Sequence, residues 1–119
     1  MRLVEDEKKK GLTMDLTGKV ALVTGAGSGI GKAAAVLLAQ QGVRVAALSR
    51  TAYEVEQTVA EITRGGKEAL AAVADTTQED QMRQAVQQML DRWGRIDIVF
   101  ANAGINGVWA PIKEHFLLA

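Results

Sequence analysis

Four glycines, Gly25, Gly27, Gly29 and Gly31, stand in the run Thr24-Gly25-Ala26-Gly27-Ser28-Gly29-Ile30-Gly31. They carry no reactive group, so any chemistry they do runs through the main chain. Glycine admits backbone conformations closed to other residues and lets N–H groups come close to a ligand. The run follows apolar residues 20–23 and opens an apolar-periodic stretch at Ile30, so it reads as strand, turn and helix. A helix starting there points its free N–H groups and the positive end of its dipole at the turn, which suits a phosphate. So glycine-dense a run is a costly way to build a turn with no ligand. The first expectation is a nucleotide or dinucleotide site on a strand-to-helix turn.

Spacing separates the phosphate loops. A Walker A loop needs G-x-x-x-x-G-K-[ST]. Gly31-Lys32 would supply its G-K pair, but Ala26 then replaces the first glycine and Ala33 the metal-binding hydroxyl. The G-x-G-x-x-G fingerprint would start at Gly25 and Gly27 and put its third glycine on Ile30. T-G-x-x-x-G-x-G fits, with Gly25, Gly29 and Gly31. This loop resembles the cofactor loop of the classical short-chain dehydrogenase/reductase family. The extended branch would need glycine at Ser28.

Other residues fall where a dinucleotide needs them. About 20 positions after a glycine loop, an acidic residue binds the ribose 2′-hydroxyl of NAD. Here Ser49 and Arg50 occupy that place. No carboxylate repels a 2′-phosphate, and a guanidinium can bind one with two parallel hydrogen bonds. NADP(H) is therefore favoured over NAD(H), against two counterweights: Arg50 also reads as a solvated loop residue, and Ser28 stands where many NADP-preferring relatives are basic. Asp75, followed by Thr76, resembles the family's aspartate beside the adenine, although Asp, Thr and Thr before a helix are also ordinary capping residues. Asn102-Ala103-Gly104 resembles the Asn-Ala-Gly motif that braces the sheet beside the cofactor. The cofactor-binding set is thus Gly25, Gly27, Ser28, Gly29, Ile30, Gly31, Ser49, Arg50, Asp75, Thr76, Asn102, Ala103 and Gly104.

These residues need elements to hold them. The sequence predicts strands at 20–24, 43–49, 69–74 and 96–101. The first helix spans 30–41, with Ile30, Ala33, Ala34, Leu37 and Leu38 as its buried face and Gly42 ending it in a left-handed conformation. The second begins at Thr51, with a Thr51–Glu54 capping box and a stripe of Val55, Val59 and Ile62. A Thr76–Glu79 box precedes the third, whose stripe is Met82, Ala85, Val86, Met89, Leu90 and Trp93, closed by Gly94. Strict alternation implies an α/β fold of Rossmann type: a doubly wound parallel sheet, incomplete, in order 3-2-1-4. All the candidate residues then fall at the carboxyl ends of its strands.

Composition narrows the rest. Of 119 residues, 48% are hydrophobic and the formal net charge is zero. That argues against disorder, and no basic block is long enough for nucleic acid. No apolar run reaches membrane-span length. There is no cysteine, and the single histidine, His115, stands near the chain end, which excludes thiolate and multi-histidine metal sites. A cytoplasmic protein is expected. Residues 1–13, with Glu5-Asp6-Glu7-Lys8-Lys9-Lys10, read as a solvated extension before a family-like opening at Met14. Residues 14–112 form the partial NAD(P)-binding domain, and 113–119 a divergent tail.

The resemblance implies hydride transfer between NAD(P)(H) and a small carbonyl or alcohol, using a later serine and Tyr-x-x-x-Lys pair. No residue here takes those positions. Tyr53, the only tyrosine, has Gln57 where the lysine would stand. The favoured reading is the cofactor-binding half of such an oxidoreductase, and the rival is a truncated, non-catalytic dinucleotide-binding module. An open edge at the fourth strand predicts a chain marginal as a monomer and prone to homo-oligomerise.

Overall fold

A computed structural model describes residues 15–102. Seven elements alternate: β1 (Val20–Thr24), α1 (Gly29–Gln40), β2 (Arg44–Ser49), α2 (Ala52–Arg64), β3 (Ala69–Val73), α3 (Glu79–Trp93) and β4 (Ile98–Phe100). The strands are parallel and lie in the order β3-β2-β1-β4. In the central strand, Leu22 pairs with Ala46 of β2 and Val99 of β4. The expected topology is therefore the observed one. No helix among the described residues is long and apolar enough to cross a membrane.

Side chains alternate across the strands and split the core in two. Ala21, Val23, Val45 and Ala47 face α1 and α2, where they meet Ala35, Ala39, Val55 and Ile62. Val20, Leu22, Ala46 and Leu48 face α3 and meet Met82, Val86 and Met89. With helices on both faces, the chain reverses its direction of strand addition between β1 and β4. In such sheets a crevice opens outside the carboxyl ends at that reversal.

The buried face of α1 differs from expectation. Ile30 is 71% exposed and Leu37 58%, and Ala33 is exposed too. Gly31, Ala35 and Ala39 face inward instead. Their spacing of four puts them on one side of the helix, and their small side chains let the helix lie close to the sheet. Val36 and Leu38 pack only partly against that core. Periodicity of large apolar residues pointed to the wrong side because close approach, not side-chain size, sets this interface. In α2 the inward residues are Val55, Thr58 and Ile62, with Val59 half-buried. The stripe of α3 holds except at Leu90, which is exposed, with Trp93 half-buried against the same core. Gly42 has the expected positive φ just beyond α1, and Gly94, which closes α3 as expected, has positive φ too.

Neither capping box forms: no side-chain cap engages the N-terminus of α2 or α3. The Thr51 N–H donates to Ser49 Oγ at 3.1 Å, so the bond that Glu54 would supply is already made. Before α3, Asp75 Oδ1 accepts from both the N–H and the hydroxyl of Thr77, and the helix starts from Gln78. A local turn displaces the Thr76–Glu79 box.

β4 is shorter than expected because Asp97 enters the ladder through its side chain. Asp97 Oδ2 accepts from the Val20 N–H at 2.9 Å, while its own N–H donates to the Val20 carbonyl at 2.8 Å. Arg95 donates to both carboxylate oxygens at 2.8 Å. That guanidinium is the main reason the Asp97 carboxyl titrates below its ordinary value, with the Val20 N–H helping and slight burial opposing. A depressed folded-state pKa stabilises above the unfolded value, about 3.9, and the contribution is lost as pH falls through the folded value. Asp97→Asn is expected to cost about 1–2 kcal/mol at neutral pH. The melting-temperature gap from the parent chain should close on acidification below about pH 4. A gap independent of pH would mean that the carboxylate charge does not matter.

Candidate functional site

The glycine turn is clamped from two sides. The Ala26 N–H donates to the Leu48 carbonyl of β2 at 3.0 Å. The Ala26 carbonyl accepts from the buried Thr58 hydroxyl of α2 at 2.8 Å. Gly25 and Gly29 have φ of +62° and +57°, in the region L side chains avoid. Gly31 is needed for space. A β-carbon there would overlap the Gly25 carbonyl oxygen and come within 2.9 Å of Asn102 Nδ2. Gly27 lies against Glu54 of α2, as described below.

The turn delivers the start of α1 with unspent donors. Ser28 stands at the N-cap in extended backbone, its side chain caps nothing, and no acidic residue occupies the first turn. The first N–H groups of the helix have no intrahelical acceptor, and its own first turn supplies no carboxylate to offset the positive end of the dipole.

The other strand ends meet the turn around one open cavity of about 590 Å³. The β1–α1 junction contributes Gly25, Ser28, Gly29 and Ile30. From the end of β2 come Leu48, Ser49, Arg50 and Thr51, and from α2 Glu54. Residues 74–77 follow β3, and Asn102 follows β4. Gly27 and Gly31 are not part of the lining, and Gly31 is buried. Ala103 and Gly104 lie outside the described residues.

Electrostatics differ around the wall. Arg50 is exposed at the rim. Ser49 Oγ closes a turn on Thr51, accepting from its N–H and donating to its carbonyl. The Asp75 carboxyl titrates below its ordinary value, chiefly because the Thr77 hydroxyl and N–H bond to it, with a smaller contribution from the Arg50 charge. Asp75 is thus held ionised and oriented as an acceptor at neutral pH. Asn102 fastens the β4 end to β1: its N–H donates to the buried Thr24 hydroxyl at 2.9 Å. This tie runs through the Asn102 main chain, while its amide nitrogen lies near Gly31.

Thr24, Glu54, Thr58 and Thr77 also belong to the site, although the sequence marks Thr24 only as part of the glycine run and Glu54 and Thr77 only as capping residues. Thr58 carried a signal: it is the one hydroxyl in the inward stripe of α2. Thr24 ends a buried strand, where a hydroxyl calls for a partner.

The family described as short chain dehydrogenase matches residues 19–116. The short-chain dehydrogenase/reductase homolog YusS of Bacillus subtilis is 41% identical over 94 residues, which are 78% of this chain and 86% of YusS. Among solved structures, a 3-ketoacyl-ACP reductase from Sinorhizobium meliloti 1021 is 57% identical with a TM-score of 0.71, over 80% of this chain and 37% of that one. A metagenomic short-chain oxidoreductase in complex with NADP is 35% identical, with a TM-score of 0.72, over 77% and 42%. A 3-ketoacyl-(acyl-carrier-protein) reductase from Brucella melitensis complexed with NADH is 42% identical, with a TM-score of 0.71, over 76% and 36%. The chain spans 42% of the length of each of the first two curated relatives it matches.

Proposed function

Because the chain belongs to the short-chain dehydrogenase family, we propose that it forms the dinucleotide-binding part of an NAD(P)(H)-dependent oxidoreductase acting on a small carbonyl or alcohol. The observation that carries this reading is the convergence of all four strand ends, with the uncapped start of α1, on one cavity. Those residues fit a nicotinamide dinucleotide. The first N–H groups of α1 bind its pyrophosphate. The Asp75 carboxylate accepts from the adenine amine, and Thr76 lies beside it. Ser49 and Arg50 meet the ribose, with Arg50 favouring a 2′-phosphate and so NADP(H). Asn102 braces the β4 end, and Ala103 and Gly104 complete the proposed cofactor-binding set. When bound, the cofactor's nicotinamide supplies or accepts the hydride. No residue of this chain is assigned as the acid or base of that reaction.

The proposed binding domain is residues 14–112, between an extension at 1–13 and a tail at 113–119, both outside the described residues. The proposed setting is cytoplasmic, with a homo-oligomer as the assembly and no nucleic-acid or membrane partner. Titration of the 119-residue chain with NADPH and NADH, followed by cofactor fluorescence, tests the reading. Saturable binding of both, tighter for NADPH, is expected. Absence of binding by either would reject it. Carbonyl-dependent oxidation of NADPH would separate an active oxidoreductase from a binding module.

A further inference from the structure

Glu54 sits at the third position of α2 but does not serve as a capping-box residue. With the Thr51 N–H bonded to Ser49 Oγ, the Glu54 side chain lies across the glycine turn. A β-carbon on Gly27 would fall 2.6 Å from Glu54 Cβ and 2.5 Å from its Oε1. The side chain therefore lies along Gly27 from its root to its carboxylate. Among the described residues lining the cavity, only Arg50, Glu54 and Asp75 carry charge. Asp75 is held by Thr77 at the β3 end, near enough to Arg50 to feel its charge. Glu54 instead joins the two structures that flank a ribose in dinucleotide folds, the glycine turn and the end of β2.

We infer that Glu54 sets the discrimination between a 2′-hydroxyl and a 2′-phosphate by opposing Arg50. The inference rests on the dinucleotide reading of the cavity. Ser49 leaves the strand end without the carboxylate that usually selects NAD. Glu54 returns a negative charge to the same side of the cavity from the neighbouring helix. A phosphate dianion there meets Arg50 in attraction and Glu54 in repulsion. The preference for NADPH over NADH is therefore smaller than Arg50 alone would produce.

The test is Glu54→Gln in the full 119-residue chain, which keeps side-chain length and hydrogen-bonding capacity. Affinities for NADPH and NADH are measured at low and high salt. The ratio should shift toward NADPH by about fivefold at low salt, as expected for one unit charge a few ångströms from a phosphate in a wet site. The shift should shrink as salt rises. Glu54→Asp keeps the charge at the start of α2 but withdraws it from Gly27, and part of the same shift is expected. If Glu54 serves only the helix dipole, Glu54→Gln lowers the melting temperature, Glu54→Asp does not, and neither moves the ratio. That result overturns the inference and leaves the dinucleotide site standing. Failure of the unsubstituted chain to bind either cofactor overturns both.

Discussion

Gly31→Ala is expected to abolish dinucleotide binding and to lower the melting temperature more than any other single substitution in the glycine turn. A β-carbon at Gly31 would overlap the Gly25 carbonyl oxygen, lie 2.7 Å from the Gly25 carbonyl carbon and 2.9 Å from Asn102 Nδ2. Two of these neighbours are main chain in a turn held by hydrogen bonds to Leu48 and Thr58, so neither can swing aside. Overpacking a rigid site costs about 1–3 kcal/mol, occasionally more, and the overlap with the Gly25 main chain places this case at the upper end. In a domain of this size about 3 kcal/mol lowers the melting temperature by roughly 12–24 °C. The only relief is for α1 to back away from β1, which withdraws its first N–H groups from the cavity. Gly29→Ala is the internal control. Gly29 has positive φ but nothing within 4 Å of an added β-carbon, so its cost is the conformational one alone, about 1–2 kcal/mol. Thermal melts and NADPH titrations of both variants check the order. Equal losses would mean that backbone conformation, not the crossing of α1 over Gly25, is what the motif protects.

That contrast also explains what the chain discloses before it folds. Gly25, Gly29 and Gly31 are legible because each answers a local demand that few other residues meet. The order β3-β2-β1-β4 is legible because alternation and crossover handedness leave few arrangements. The α3 stripe reads correctly because Met82, Val86 and Met89 bury bulk against one sheet face. The α1 face does not, because Gly31, Ala35 and Ala39 are buried for being small, a preference that hydrophobic periodicity does not register. The capping boxes at Thr51 and Thr76 fail for a second reason. Their motifs are complete, but Ser49 takes the Thr51 N–H, and Asp75 bonds Thr77 in a local turn that shifts the helix start to Gln78. Thr24 and Thr58 act through partners 78 and 32 residues away. No local pattern encodes such bonds, although a hydroxyl in a buried stripe announces that a partner exists.

Arg50→Ala is expected to weaken NADPH binding about tenfold while leaving NADH within about twofold. A charge-assisted hydrogen bond contributes about 1.5–3 kcal/mol, and 1.4 kcal/mol is tenfold in affinity. Arg50 is exposed at the cavity rim, where solvent and salt screen it, so the effect belongs near the lower bound. The guanidinium has no 2′-phosphate to meet on NADH, which makes the difference between the two cofactors the informative quantity. Arg50→Lys separates charge from shape: a point charge retains the long-range attraction but not the paired planar donors, so an intermediate NADPH affinity is expected. The salt dependence of NADPH binding should fall in Arg50→Ala and persist in Arg50→Lys. Should both cofactors weaken alike, Arg50 would be holding the β2–α2 turn and not a phosphate. Ser28 or the α1 N-terminus would then be the remaining phosphate-facing groups. The double variant Arg50→Ala with Glu54→Gln completes the cycle. If the two side chains act on the same phosphate from opposite signs, removing both should return the NADPH-to-NADH ratio toward one, the value of a site that reads the ribose without charge.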